Sequence, residues 1–362
     1  MTRTARKPVC VLAALALAAP GAAAAQEAGG AARGTGMVRG VVLAGPAEPV
    51  PYAVVAMPPH FPQRFTDAAG VFVFTRVPAG NYHVQVRQVG YKPLDTAVVV
   101  AAGQTVAITA PLERLTVQLE DITVVTTRGG CTEPGPPDAG SPELAALFEQ
   151  LEQYARQYRL LANTYRFRYR MVRTFADLDD VGNLAWMRRD TVAYLSSSTV
   201  HYRPGNVVLA ADEPDSTRSR EVILPNVADL ADSVFQAHHC FTYAGKVGEG
   251  LVRFTFRPPD SLQAPDLAGD VDMDPRTHQL RRVTVNLTHP ERAWDKMRAA
   301  TSTITFAELL PNIVVQRRVK SVQLLARPPL LTGRHHYVAQ FIENQELLDS
   351  RFVNPLSGGP TP

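Results

Sequence analysis

Arg166, Arg168 and Arg170 alternate along the chain with Tyr165, Phe167, Tyr169 and Met171. Side chains two residues apart share one face of an extended strand. The run therefore predicts a strand with one cationic and one apolar side. The cationic side fits a groove for an anionic ligand, such as a lipid headgroup or an envelope polymer. It fits equally a solvent face whose arginines pair with acidic residues on the next strand, and that arrangement is favoured. Asp270, Asp272 and Asp274 alternate in the same way, and three carboxylates on one face could hold calcium. They lack the glycine and closing glutamate of an EF-hand loop, and Asp274-Pro275 reads as the start of a turn, which favours a hairpin end.

The histidines carry little metal chemistry. His238-His239 and His335-His336 are adjacent pairs, so in a strand each pair offers at most one ligand to a given site, and neither H-E-x-x-H nor H-x-x-E occurs. The run from Ser196 to Tyr202 contains serines and a histidine but no G-x-S-x-G elbow, which favours exposed strand hydroxyls over a hydrolytic triad. No catalytic, cofactor or metal residue is assigned on these patterns.

The N-terminus bears on the compartment. Arg3, Arg6 and Lys7 precede a short apolar run ending in Ala23-Ala24-Ala25, the three parts of a secretory signal peptide with cleavage near Gln26. No later stretch approaches the roughly 18 consecutive apolar residues of a membrane helix. Removing the three basic residues of the leader leaves 34 basic against 34 acidic residues, and this balance gives no global reason to expect nucleic-acid binding. Cys10 lies within the leader, so Cys131 and Cys240 remain, and an exported chain with two cysteines favours a disulfide between them.

From Met37 the chain reads as short β-branched and aromatic runs bounded by Gly, Pro, Asn and Asp, the pattern of a β-sandwich. Phe72 and Phe74 share one strand face, as do Tyr82, Val84 and Val86 on the next. The stretches VRGVV, PVPYAVVAM and TDAAGVFVFTRVPAGNYHVQVRQVGYKP, with the closing LTVQL, resemble the carboxypeptidase regulatory-like domain, a transthyretin-like β-sandwich. The resemblance runs from about residue 36 to 119, and PPHFPQRF departs from it where the family has a brief loop. Such domains accompany zinc carboxypeptidases, TonB-dependent receptors and exported proteins without an assigned role. The zinc spacings are missing, as above. Leu119 to Arg128 is similar to the segment leading into a receptor plug, but a barrel of about 22 strands needs far more chain than follows it.

The second half opens with Ser141 as N-cap and Pro142 in the first turn of a helix, whose stripe is Leu144, Leu147, Leu151, Tyr154, Tyr158 and Leu161. Strand-like runs follow, and the hairpin VDMDPRTHQLRRV resembles a region found beside this sandwich in uncharacterised exported proteins. The predicted fold is mainly β: an N-terminal transthyretin-like sandwich plus a C-terminal α+β domain with a long helix across a curved antiparallel sheet. The boundaries read as a signal peptide at 1–25, the sandwich at 36–120, an exit strand and Pro/Gly-rich linker at 121–141, the helix-and-sheet unit at 142–352 and a disordered tail at 353–362.

The functional expectation is a non-catalytic exported envelope protein without a cofactor. Its sandwich serves as scaffold, and its C-terminal unit binds an envelope protein, lipid or polysaccharide. Two alternatives make different structural demands. A carbohydrate-binding module needs a row of exposed rings such as Tyr52, Phe61 and Tyr91, and an envelope hydrolase needs a pocket with convergent titratable groups. A lipid carrier needs an apolar cavity under the sheet.

Overall fold

In this computed structural model the described residues are 34–115, 130–135, 142–179, 181–197, 201–210, 220–327 and 337–353. The predicted leader, the segment from Leu119 to Arg128, most of the linker, His335-His336 and most of the tail lie outside them.

Alternation in the first module builds two facing sheets. One centres on β1 (Thr35–Ala44), with β2 (Glu48–Pro49) and β5 (Val71–Pro78) antiparallel to it and β8 (Thr105–Leu112) parallel. The other runs in the order β4 (Phe61–Phe65), β3 (Val54–Met57), β6 (Gly80–Arg87) and β7 (Leu94–Val100). Val38, Val42, Phe72, Phe74, Val84 and Val86 fill the space between them and are almost wholly buried, each contributing roughly 1.5–3 kcal/mol by leaving water. The T-D-x-x-G turn is held locally. Asp67 Oδ1 accepts from the amides of Ala69 and Val71 at 2.9 and 2.8 Å, and Gly70 takes a φ of 72° where a side chain would meet the Val42 carbonyl.

The PPHFPQRF departure is a turn followed by a short strand. Residues 61–65 pair with β3 as an edge, the position at which Pro62 removes no ladder hydrogen bond that the sheet requires.

In the second half, α1 (Pro142–Asn163) lies against a nine-stranded antiparallel sheet. Its strands are β9 (Phe167–Leu178), β10 (Leu184–Leu195), β13 (Cys240–Val247), β14 (Leu251–Arg257), β15 (Leu267–Met273), β16 (Leu280–Leu287), β17 (Met297–Leu310), β18 (Ile313–Arg327) and β19 (Tyr337–Phe352). They run in the order β10-β9-β19-β18-β17-β16-β15-β14-β13, so the C-terminal strand inserts beside β9. A two-stranded ladder, β11 (Val208–Ala210) with β12 (Arg220–Val222), and the short helices α2 (Val227–Leu230), α3 (Ser233–Ala237) and α4 (Pro290–Ala293) complete the unit.

Leu144, Leu147, Leu151 and Tyr154 of α1 are buried in one core with Phe254, Val271, Val283 and Ile304 of the sheet. Gln150, Gln153 and Gln157 are buried as well. A helix with one apolar stripe leaves such residues in water, so the other flank of α1 has a partner. That partner includes the sandwich: Gln150 Oε1 accepts from the Gly90 amide at 2.7 Å, and Val54 and Phe65 share an apolar cluster with Leu160, Leu161, Phe167 and Ile313. Gly90 has a φ of 82°, and a Cβ there would stand 2.9 Å from the Thr277 carbonyl oxygen. The Gly-Tyr corner is therefore a docking point between the two units. His278 borders it, and burial holds its imidazole below the ordinary histidine value.

Candidate ligand-binding site

A cavity of about 190 Å³ separates the end of α1 from the sheet. The helix supplies Tyr158, Leu161 and Ala162, β9 supplies Phe167, Tyr169 and Met171, and β17 and β18 supply Ile304, Phe306, Val314, Val315 and Gln316. Leu347 on β19, Ser196, and Leu224 to Val227 before and within α2 complete the wall. The volume is of the order of an apolar cavity of about 150 Å³ that stays dry and accepts benzene. It is smaller than the roughly 300 Å³ of a pocket for a drug-sized ligand. A single ring or the end of an acyl chain is the matching size.

Polar groups around this space are few. Ser196 Oγ accepts from the Phe167 amide at 3.1 Å and donates to the Leu161 carbonyl at 3.4 Å, so its hydroxyl locks β9 to the end of α1. Burial pushes the Tyr169 phenol up to about 12, beside Tyr158 and Tyr194, so it stays protonated at neutral pH. Asn226 differs from both. Its Oδ1 caps α2 by accepting from the amides of Ala228 and Asp229 at 2.7 and 3.0 Å, and Asp229 returns the bond to the Asn226 amide at 2.9 Å. Its Nδ2 is buried without a hydrogen-bond partner, on a residue that helps line the cavity. An unsatisfied buried donor costs about 1–3 kcal/mol, which an acceptor placed in the cavity would recover.

Further along the inner face of the sheet the environment becomes charged. Arg173, two residues beyond Met171, forms a paired contact with Asp190 at 2.9 and 3.0 Å, and Arg188 reaches the same carboxylate at 3.2 Å. Glu343 on β19, opposite Phe175 on β9, is pushed up by burial and accepts from Gln345 Nε2 at 2.9 Å.

The residues singled out by sequence fall elsewhere. Arg166, Arg168 and Arg170 are exposed on the face of β9 away from the cavity, and Arg170 pairs with Asp349 on β19. Asp270 and Asp272 face cations: Arg253 reaches Asp272 at 2.6 Å and Asp270 at 3.2 Å, and Arg282 reaches Asp272 at 2.8 Å. Asp274 accepts from the Arg276 and Thr277 amides at 2.9 and 3.3 Å, and these bonds with Arg281 hold its carboxyl down against burial. Among the described residues no group of three or more metal-ligating side chains gathers.

His238 and His239 separate as adjacent residues must. His239 is fully buried, stacked on Phe235 at 4.0 Å, with its ring nitrogens 2.8 and 3.0 Å from the carbonyls of Phe235 and Leu267. Beside it, Tyr202 donates to the buried Asp266 at 2.9 Å. The expectation of exposed hydroxyls from Ser196 onward is corrected at Ser196, which is buried because the backbone of β9 and α1 needs its oxygen.

The row of exposed rings that carbohydrate binding requires is also corrected. Tyr91 is buried with Arg114 over its ring, Phe61 packs edge-on against Phe74 and Tyr82, and Tyr52 packs on the cluster between the units. Cys131 and Cys240 form a disulfide that fixes the segment at 130–135 to the start of β13, supported by Gly135 N to His239 O at 3.1 Å. The cavity itself was missed in the sequence. The local signal available was the Asn226-x-x-Asp229 capping box.

The first unit is a transthyretin-like sandwich beside a helix-covered sheet. Its residues 37–113 are a carboxypeptidase regulatory-like domain, matching the model of that family. No curated protein matches the chain. Among solved structures, GBS52, the minor pilin of Streptococcus agalactiae, aligns at 17% identity and a TM-score of 0.21 over 23% of this chain and 46% of its own. A streptococcal ancillary pilin aligns at 13% identity and a TM-score of 0.21 over 53% of this chain and 59% of its own. The Bacillus anthracis TIE protein aligns at 12% identity and a TM-score of 0.21 over 66% of this chain and 45% of its own. The chain thus spans about half the length of these proteins, and likenesses this slight carry no argument about its activity. Among the described residues no helix is long and apolar enough to cross a membrane, a statement about helices alone.

Proposed function

We propose that this chain is a non-catalytic, exported envelope protein whose sandwich is a scaffold and whose helix-and-sheet unit holds a small amphiphile. The apolar part of that ligand occupies the cavity between α1 and the sheet, and a hydrogen-bond acceptor on it meets Asn226 Nδ2. The observation that carries this reading is the buried, unpaired side-chain donor of Asn226, a residue that lines this largely apolar cavity. Of the partners considered, envelope protein, lipid or polysaccharide, an apolar lining of this size supports a lipid-like molecule. Export is supported by the disulfide, which persists in oxidising compartments, together with the leader-like N-terminus.

The test is native mass spectrometry of protein purified from its own envelope, paired with displacement of an environment-sensitive apolar fluorophore. A co-purifying small amphiphile that displaces the probe is expected. A ligand-free protein that leaves the fluorophore unbound would overturn the reading.

A further inference from the structure

The outer face of the large sheet, turned away from α1, is cationic across the four neighbouring strands β10, β9, β19 and β18. Cross-strand pairing sets its rows. Arg168 on β9 stands directly opposite Arg351 on β19, and the next row sets Arg170 against Asp349. Val172, Glu346 and Arg318 follow, and then Arg189, Thr174, Asn344 and Lys320 lie side by side. The last two rows border a groove of about 640 Å³ that Arg317 also lines. Every arginine and lysine named here is exposed, as is Arg166 one row beyond Arg168. Among the described residues these rows hold two carboxylates, and both are taken: Asp349 pairs with Arg170, and Glu346 meets Arg318 at 3.0 Å. Arg166, Arg168, Arg189, Arg317, Lys320 and Arg351 form no ion pair with a described residue. The acids at the margins do not offset them. Asp270 and Asp272 are held by Arg253 and Arg282, and Asp179 lies five residues past Thr174, about 17 Å along the strand direction.

We propose that this face binds an acidic polysaccharide laid from the Arg168-Arg351 pair to the groove at Arg189, Arg317 and Lys320. Two arginines directly opposite each other repel, which costs the sheet stability. An anionic group between them removes that repulsion, and two planar guanidinium forks can grip a carboxylate through paired hydrogen bonds. The patch is about 20 Å long from the Arg168 row to the Thr174 row and about 14 Å wide over four strands. A single anion therefore reaches one end of it, whereas a chain with repeating carboxylates engages both ends at once. Cations outnumber large apolar side chains in these rows. That composition is the reverse of the centre of a protein interface, and it lacks the apolar face with which a protein anchors in a bilayer. Recognition of this kind rests on charge and needs no row of exposed rings. The proposal does not rest on the cavity, which lies on the other side of the sheet.

The experiment is calorimetric titration of the full chain with polygalacturonate, with neutral dextran and with monomeric galacturonate. Binding to polygalacturonate that weakens as salt is added is expected, with none to dextran. Galacturonate should bind at least about a hundredfold more weakly than the polymer, because it engages one end of the patch at a time. Replacing Arg168→Gln with Arg351→Gln, or Arg189→Gln with Lys320→Gln, should lower polymer affinity about threefold per residue, the range of an exposed ion pair. Replacing Arg39→Gln with Arg76→Gln, two exposed cations of the sandwich, should leave it unchanged.

Thermal melting separates recognition from structure. Relieving the Arg168-Arg351 repulsion should leave the melting temperature of that variant unchanged or raised while its affinity for the polymer falls. No binding of polygalacturonate, equal binding of dextran, or parent-like binding by both folded variants overturns the proposal. So does a loss confined to one end of the patch, which would mark a site for a single anion. An equal loss in the sandwich variant would trace binding to overall charge and overturn it as well. Tighter binding of phosphatidylglycerol vesicles or duplex DNA than of polygalacturonate would assign the face to a different polyanion and likewise overturn it.

Discussion

The two units of this chain solve the same packing problem differently. The sandwich closes on itself: its two sheets leave Phe74, Val84 and Val86 at or near zero exposure, and rings at its margin, Phe61 and Tyr82, pack inward on that core. The helix-and-sheet unit has far longer strands, up to 16 residues in β19, and a single 22-residue helix to cover them. One helix is about 10 Å wide with its side chains, too narrow to cover nine strands spaced about 4.8 Å apart. Short helices and the β11-β12 ladder cover part of the remainder, and a cavity is left where the end of α1 and the start of α2 meet the sheet. The lesson is physical: an open sheet larger than its cover leaves interior space, and a matched pair of small sheets does not.

The strongest way to break this comparison is to release the second unit's tie. The Cys131–Cys240 bond closes a loop with a sequence separation of 109. The chain-entropy model assigns a loop of that order about 4.7 kcal/mol. Cys131→Ser with Cys240→Ser should therefore lower the denaturant midpoint of the helix-and-sheet unit sharply while the sandwich transition moves little. Equal loss in both transitions would show that the units unfold as one body.

A matched substitution sharpens the contrast. Val84→Phe forces a ring into the closed sandwich core, where overpacking costs about 1–3 kcal/mol or more. Val314→Phe adds the same atoms at the cavity wall, where there is room, and is expected to be neutral or slightly stabilising while excluding the apolar probe. Comparable destabilisation of both proteins in thermal melts would mean that the cavity collapses readily and is no ligand site.

The sandwich was legible because its signals are local. Asp67 and Gly70 sit three residues apart in one turn, and Phe72 and Phe74 alternate within one strand. The first turn of α1 at Pro142 and its leucine stripe were legible for the same reason. What was missed is made between distant segments. Asp270 and Asp272 read as part of a hairpin end, but their partners Arg253 and Arg282 appear only when pairing places those strands beside them. The arginines at 166, 168 and 170 lie on the outer face of the sheet, and which of them meets an acidic neighbour is set by pairing with β19, where Asp349 stands beside Arg170. The PPHFPQRF segment read as a departure from the family, its edge strand shows only in the pairing with β3, and Phe65 gained its role only by meeting Tyr165 across the interface at 5.1 Å. Nothing in the sequence separates a leucine or valine that lines a cavity from one that fills a core.

The smallest expected change in stability is also the most discriminating for the site. Asn226 has two jobs carried by different atoms: Oδ1 caps α2, and Nδ2 is the buried, unpaired donor of a residue that lines the cavity. Alanine would remove both and could not tell them apart. Serine caps a helix about as well as asparagine and is neutral, so Asn226→Ser keeps a capping oxygen and removes the amide donor without burying a second carboxylate beside Asp229. A change of only a few tenths of a kcal/mol is expected in a denaturant titration, because the cap persists and the lost donor had no partner to lose. Ligand binding should respond differently. An amphiphile held by its acceptor loses that donor, and its affinity should fall by about tenfold, the equivalent of one lost buried hydrogen bond. A purely apolar probe should bind the variant and the parent alike. If both ligands weaken together, the substitution has disturbed the cavity's shape and the donor has no separate role. If neither weakens, the amphiphile lies in the cavity without engaging Asn226.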